Sequence, residues 1–257
     1  MDHHIRTTIN YYDDPRGGSP PTPVYVGSTQ VNNSRPMIAT PVTVTDITGS
    51  EAAFALDTHG FQYCFQPTPF SAFYDDQQTA KDYYRECERL IRALTSTSNV
   101  LAFDHKIRRG PFHWHSIKEN NAASRGPLHR AHVDQSYDGA VLRLREQFPS
   151  EPNFTALSQK RWQIINIWRP LRPILKDPFA LCSARPQRNE PWTVKPNPGH
   201  KWYYKYHQHP SEVVLFKCFD GDLTCPTRRV PHCAVVDPGH INAENRESVE
   251  VRCLVFY

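Results

Sequence analysis

Glycine is scarce in this sequence and proline is not: 11 Gly stand against 23 Pro in 257 residues. Prolines at that density break long helices and central strands, which excludes a helical bundle, a coiled coil and a solenoid. They are scattered rather than periodic, so a collagen-like chain is excluded too. No apolar run approaches the length of a membrane-crossing helix. The first residues, Met1-Asp2-His3-His4-Ile5-Arg6, lack the apolar stretch of a secretory signal. Seven cysteines are present, but the count is odd and no pair has C-x-x-C spacing, which speaks against a disulfide framework and a zinc ribbon. The expectation is a reduced, cytoplasmic protein. A strong excess of one charge is also missing, since 30 Lys and Arg face 26 Asp and Glu for a net charge of +4. The densest basic cluster is Lys106, Arg108 and Arg109. That is too sparse for a nucleic-acid stripe and better suited to a pocket for a small anion.

What the chain does have is bulk for a β-rich core, with 12 Tyr, 13 Phe and 5 Trp. Residues 1–40 read as an N-terminal arm, extended or partly mobile, and residues 41–257 as a single domain. β-like runs begin at Pro41–Ile47 and continue through Ala53–Leu56 and Phe61–Phe65, the last two separated by a turn at Thr58-His59-Gly60. Apolar residues at steps of three and four predict one strong helix over 79–95, with Thr79 and Asp82 placed as a capping pair. Asn99–Phe103 reads as a strand, 106–130 as a long polar loop or lid, Leu128–Val133 as the approach to another strand, and 139–148 as a short helix. Further strands are expected at Trp162–Trp168, Phe179–Ser183, Trp202–Tyr206, Val213–Phe219, Ala234–Val236 and Ser248–Tyr257. So many short strands suit a sandwich or a small barrel. The prolines Pro41, Pro149, Pro170, Pro173, Pro178 and Pro231 fall at or near the expected strand ends.

The sharpest local feature is His132-Val133-Asp134. Residues i and i+2 of a strand share a face, so an imidazole nitrogen and a carboxylate oxygen can converge on one metal ion. A second His would complete a facial triad with open positions. Alone, an H-x-D pair is a weak signal. The available histidines are His200, His207, His209, His232 and His240. His232 is followed 14 residues later by Arg246, with Ser248 two beyond it on the same strand face. A planar guanidinium and a hydroxyl together suit a carboxylate. His207 and His209 lie much farther from Arg246, and His240, the nearest rival, lies too close for two strands and a turn. His113-Trp114-His115 reads as surface or lid.

The order H-x-D, about a hundred residues, His and then R-x-S is similar to the double-stranded β-helix of Fe(II)/2-oxoglutarate oxygenases. Segments in sequence order also resemble a fungal hydroxylase/desaturase family that includes gibberellin-desaturase-like proteins and relatives of the cephamycin 7α-methoxylation component. They are Leu56-Asp57-Thr58-His59-Gly60-Phe61, Phe103-Asp104-His105 through Arg109, His132 to Ser136, Asn166-Ile167-Trp168-Arg169-Pro170, Glu212 through Asp220, Pro231-His232, and Arg246 to Arg252. The resemblance spans nearly the whole chain from about residue 42.

It implies a mainly β fold with flanking helices around a double-stranded β-helix, jelly-roll core. It further implies Fe(II), 2-oxoglutarate and O2 as cofactors, and hydroxylation, desaturation or oxidative ring closure of a small biosynthetic intermediate in specialised metabolism. Carried over residue by residue, His132, Asp134 and His232 bind iron, and Arg246 with Ser248 grips the distal carboxylate of 2-oxoglutarate. Arg252 is an alternative anchor of the same parity, and Asn166 is placed at the other end of that cofactor. Arg108, Arg109, Trp168 and Arg169 are assigned to the substrate. The basic loop favours a carboxylated substrate, an amino acid or a derivative of one. The competing classes are a zinc hydrolase on a similar barrel and a non-catalytic β-barrel that binds a small molecule.

Overall fold

A computed structural model describes residues 3–14, 36–97, 99–110, 126–183 and 194–257. Among these residues, ten strands form two five-stranded sheets. In chain order they are β1 (Ile5–Tyr12), β2 (Met37–Asp46), β3 (Phe61–Phe65), β4 (Asn99–Arg108), β5 (Trp162–Pro170), β6 (Phe179–Ser183), β7 (Lys201–Tyr204), β8 (Glu212–Asp220), β9 (His232–Ala234) and β10 (Ser248–Phe256). One sheet has the order β1-β2-β7-β6-β9 and the other β3-β8-β5-β10-β4. Every pairing is antiparallel except β2 with β7.

The alternation of side chains along β10 shows how the layers are made. Val249, Val251, Cys253 and Val255 pack outward with Tyr83, Cys87 and Ile91. Leu254 and Phe256 point the other way, into a cluster shared by both sheets that includes Trp168, Phe179, Leu181 and Phe216. Each such fully buried side chain is worth about 1.5–3 kcal/mol. Ser248, Glu250 and Arg252 have the parity of Leu254, so the strand that builds the core also turns three polar groups inward.

The expected helix is present, in a longer and interrupted form. It starts at Asp76–Gln78, passes through one wide turn at Thr79–Tyr83 and continues as Tyr84–Thr95. The capping group is Asp75, whose carboxylate accepts from Gln78 N at 2.9 Å, rather than Thr79. The helix covers the outer face of the β3-to-β4 sheet with Cys87 and Ile91. The short helix expected near 139–148 is Tyr137–Gln147, and a second one, Glu151–Ser158, follows with its proline in the first turn, where a missing N–H costs nothing.

Other expectations need correction. Within the first 40 residues, Ile5–Tyr12 is a docked strand paired along its length with β2, and 15–35 lie outside the described residues. Pro41 lies inside β2 opposite Thr8, not at a strand end. Glu51–Ala53 is a helical turn and Leu56–His59 a short helix, not strands. β4 runs on to Arg108, so the loop begins later than 106, and 111–125, with His113, Trp114 and His115, lie outside the described residues. Leu128–Val133 forms isolated bridges instead of a strand.

The Leu56–His59 helix ends on Gly60 at φ +78°. A Cβ there would meet Thr227 Cγ2 at 2.4 Å and Val230 Cγ2 at 2.6 Å. Gly60 therefore lets the chain approach the segment that leads through Pro231 into β9. No helix among the described residues is long and apolar enough to cross a membrane.

Candidate metal centre

His132 and His232 face each other through a two-residue antiparallel bridge. His232 N donates to His132 O at 2.9 Å and His132 N to His232 O at 3.2 Å. Alternation does the rest: Val133 and Cys233 turn into an apolar cluster on the far side, so His132, Asp134 and His232 turn inward together. Oδ1 of Asp134 lies 3.7 Å from Nε2 of His132 and 3.7 Å from Nε2 of His232, and the ring centroids are 4.2 Å apart. Nδ1 of His132 is 2.9 Å from Arg130 O, and Nδ1 of His232 is 3.0 Å from Val230 O. Each carbonyl accepts a hydrogen bond from Nδ1–H and so favours the tautomer whose Nε2 lone pair can bind a metal. Nε2 of His232 is buried with no partner. Two imidazole nitrogens and one carboxylate oxygen within 4.8 Å of one another are a donor set that fits Fe(II).

The charges agree with that geometry. Burial, and then the neighbouring His232, push His132 well below its ordinary value. Burial alone would also lower His232, but the nearby carboxylate of Asp134, 3.7 Å from Nε2, overcomes it and raises this imidazole. Asp134 stays well below the usual carboxylate range despite its burial, chiefly because of Arg252.

The other expected residues divide. Arg246 and Ser248 are buried, and Arg246 Nε and Ser248 Oγ have no partner. Arg246 Nη1 donates to Asp177 O at 2.8 Å, offered by a residue at φ +54° whose carboxylate lies 2.8 Å from His129 Nε2. The guanidinium lies 5.3 Å from the ring of Trp168, which is stacked on Phe179 at 4.7 Å. Burial, with Arg108 close by, brings Arg246 down to about 9. A bound carboxylate would relieve both the unpaired atoms and the unpaired charge.

Arg252 is committed elsewhere. It donates to Asp104 Oδ2 at 2.9 Å, Asp134 Oδ2 at 3.0 Å and Glu250 Oε1 at 3.3 Å. Asn166 Nδ2 donates to Asp134 Oδ2 at 2.7 Å and Glu250 Oε1 at 3.0 Å, and its amide oxygen is buried without a donor. Trp168 forms a wall beside Arg246. Arg108 lies opposite Ser248 on β4 and donates to Gly126 O at 2.9 Å. Arg109 is paired with Glu247 at 3.2 Å. Arg169 is not at the site: strand alternation turns it to the outer face, where it donates to Tyr83 Oη, Gln66 O and Pro210 O. The rival histidines also lie elsewhere, His200 beside Tyr11, His209 beside Ser211 and His240 beside Asp237.

Glu250 was not among the residues expected at the site, and Lys106 was expected there only as a member of the basic cluster with Arg108 and Arg109. Glu250 and Lys106 face each other across β10 and β4. Glu250 is pushed up by burial and by Asp134, and Lys106 down by burial and by Arg252. The signal for Glu250 was available: it shares the parity of Arg246, Ser248 and Arg252 in a strand that is otherwise apolar.

Comparison with known proteins follows the same lines. Residues 9–256 match a family described as an oxidoreductase/YMDC permease-like domain. The hydroxylase/desaturase efuI of Hormonema carpetanum is 34% identical, covering 98% of this chain and 95% of that protein. The alpha-ketoglutarate-dependent dioxygenase phiK of a fungal species is 29% identical over 79% of this chain and 80% of its own length. A solved structure of the iron and alpha-ketoglutarate-dependent endoperoxidase NvfI superposes with a TM-score of 0.73 at 25% identity, covering 100% of this chain and 97% of the other.

Proposed function

The chain belongs to the fungal hydroxylase/desaturase family of Fe(II)/2-oxoglutarate-dependent dioxygenases, and from that premise we propose that His132, Asp134 and His232 hold its iron while Arg246 and Ser248 hold the distal carboxylate of 2-oxoglutarate. The observation that supports the second half is the pair of unpartnered buried atoms, Arg246 Nε and Ser248 Oγ. Buried polar atoms without partners are rare and costly, and Ser248 shares the inward face of β10 with Glu250 and Arg252. Arg252 is the weaker anchor: its Nε is also without a partner, but three carboxylates already take its Nη1 and Nη2.

Iron and 2-oxoglutarate, when bound, supply with O2 the oxidising power for a C–H bond, and the co-substrate leaves as succinate. The chain's own residues do the positioning. The carbonyls of Arg130 and Val230 keep both imidazoles in the metal-binding tautomer. Trp168, Phe179 and Phe216 wall the site with apolar surface and exclude water.

The substrate we propose is a small carboxylated biosynthetic intermediate, an amino acid or a derivative of one. Two basic side chains, Lys106 and Arg108, on the strand that borders the site support that reading. Seven cysteines with no disulfide between them support a reducing, cytoplasmic setting.

A screen of carboxylated metabolites for substrate-stimulated succinate release, with O2 consumption followed in parallel, tests this reading. Succinate is expected to rise with a carboxylated substrate in step with O2 uptake. Turnover that needs neither O2 nor 2-oxoglutarate would point to a hydrolase.

A further inference from the structure

Asp134 has two oxygens, and the structure treats them differently. Oδ1 faces both Nε2 atoms at 3.7 Å. Oδ2 accepts from Asn166 Nδ2 at 2.7 Å and from Arg252 Nη2 at 3.0 Å. The same two donors are shared with a second carboxylate, since Glu250 Oε1 accepts from Asn166 Nδ2 at 3.0 Å and from Arg252 Nη2 at 3.3 Å. Arg252 is further tied down by Asp104 at 2.9 Å. An amide nitrogen has two protons, and here each goes to one carboxylate, which fixes the amide's orientation. Backbone register holds the pieces together: Asn166 and Arg252 are direct partners across β5 and β10, and Asp104 is the partner of Arg252 across β10 and β4.

We infer that Asn166, Arg252 and Glu250 form a clamp that holds the far oxygen of Asp134, so that Asp134 presents a single oxygen to the metal. Asn166 and Arg252 are the positioning donors, and Glu250 positions the donors. If Asp134 turned to offer both oxygens, it would break two hydrogen bonds and occupy a coordination position that a chelating 2-oxo acid needs. This inference rests on the proposed metal site. It reassigns Asn166 and Arg252 from contact with 2-oxoglutarate to support of the metal ligand.

The test uses Co(II) alone, added to the metal-free full chain, and three variants. Asn166→Leu removes both donor protons without changing charge, Glu250→Met removes the acceptor, and Glu250→Gln keeps an acceptor oxygen at the same place. Asn166→Leu and Glu250→Met are expected to lose about 10- to 100-fold in Co(II) affinity and to change the intensity of the Co(II) absorption bands, which reports coordination number. Glu250→Gln is expected to recover a large part of what Glu250→Met loses. Wild-type affinity and spectrum in both apolar variants would overturn the clamp. So would equal losses in Glu250→Gln and Glu250→Met, which would indicate charge alone.

Should the apolar variants fail to fold by circular dichroism, the wild type decides. Infrared difference spectra on Co(II) addition to protein labelled with 13C-aspartate should show the wide carboxylate splitting of a one-oxygen ligand. A narrow, two-oxygen splitting contradicts the inference. A wild type that takes up no Co(II) would instead sink the metal assignment on which the clamp rests.

Discussion

Two clusters of buried charge sit on the same sheet, and they are finished differently. At one end of β5 and β8, Asp220 accepts from Lys217 at 2.8 Å, Gln163 at 2.6 Å, Arg161 at 3.1 Å and Asp222 N at 3.0 Å. Gln163 Oε1 accepts in turn from Tyr257 at 2.8 Å. Lys217 and Asp220 are both fully buried, and each polar side-chain atom of Asp220, Lys217 and Gln163 has a partner. Farther along β5 and β10, at Asn166, Ser248 and Arg252, and beside them at Arg246 and at His232 on the facing sheet, buried polar atoms are left without one. A closed network stabilises the fold it sits in. An open one, held by the same kind of strand, is where our proposal has ligands complete the bonding.

Substitutions should break the two clusters in different ways. The largest effect is expected at the open end: His132→Ala should bring succinate formation to background, because a triad lacking one ligand binds the metal poorly. Unchanged succinate release would remove His132 from the site. Next comes the closed cluster, where Asp220→Ala takes from the buried Lys217 its nearest and only buried carboxylate partner among the described residues and leaves it the exposed Asp57 at 3.3 Å. A loss of about 3–5 kcal/mol in unfolding free energy is expected by chemical denaturation, with the 2-oxoglutarate requirement unchanged in the folded protein.

Arg246→Ala should show the reverse pattern, with the 2-oxoglutarate requirement rising about 10- to 100-fold and Co(II) affinity retained. Ser248→Ala should raise that requirement about 3- to 10-fold.

The smallest effect is a pH dependence of the closed cluster. Burial alone would raise Asp220, but the hydrogen bonds from Arg161 and Lys217 hold it at about 2, below its value of about 3.9 in the unfolded chain. Its contribution to stability is therefore present above about pH 4 and lost as pH falls towards 2. The difference in melting temperature between wild type and Asp220→Ala should close over that window.

Strand alternation made much of the open cluster legible. His132-Val133-Asp134 converge because i and i+2 share a face, and the parity of Arg246, Ser248 and Arg252 correctly placed all three inward. Arg169, three residues beyond Asn166, has the opposite parity, and the structure does turn it away. What alternation cannot tell is which partners a buried group meets across the sheet. Arg252 looked as available for a carboxylate ligand as Arg246. Only the registers of β4 and β5 show that Asp104 and Asn166 flank it and that Asp134 and Glu250 share it. Proline was read too simply as strand punctuation, since Pro41 lies within β2. The helix over 79–95 was legible from its apolar steps, while its start at Asp75 depends on a local side-chain cap that competes with Thr79.

The contrast between the two clusters is tested most directly by one anaerobic titration. Fe(II)-loaded wild type, Arg246→Ala and Asp220→Ala are each titrated with 2-oxoglutarate, and the weak visible charge-transfer band is followed. The band should saturate in wild type and in Asp220→Ala at the same concentration, and Arg246→Ala should need about tenfold more or greater. A wild type without the band, or an Arg246→Ala curve that overlays it, would contradict the assignment of the unpartnered atoms to the 2-oxo acid.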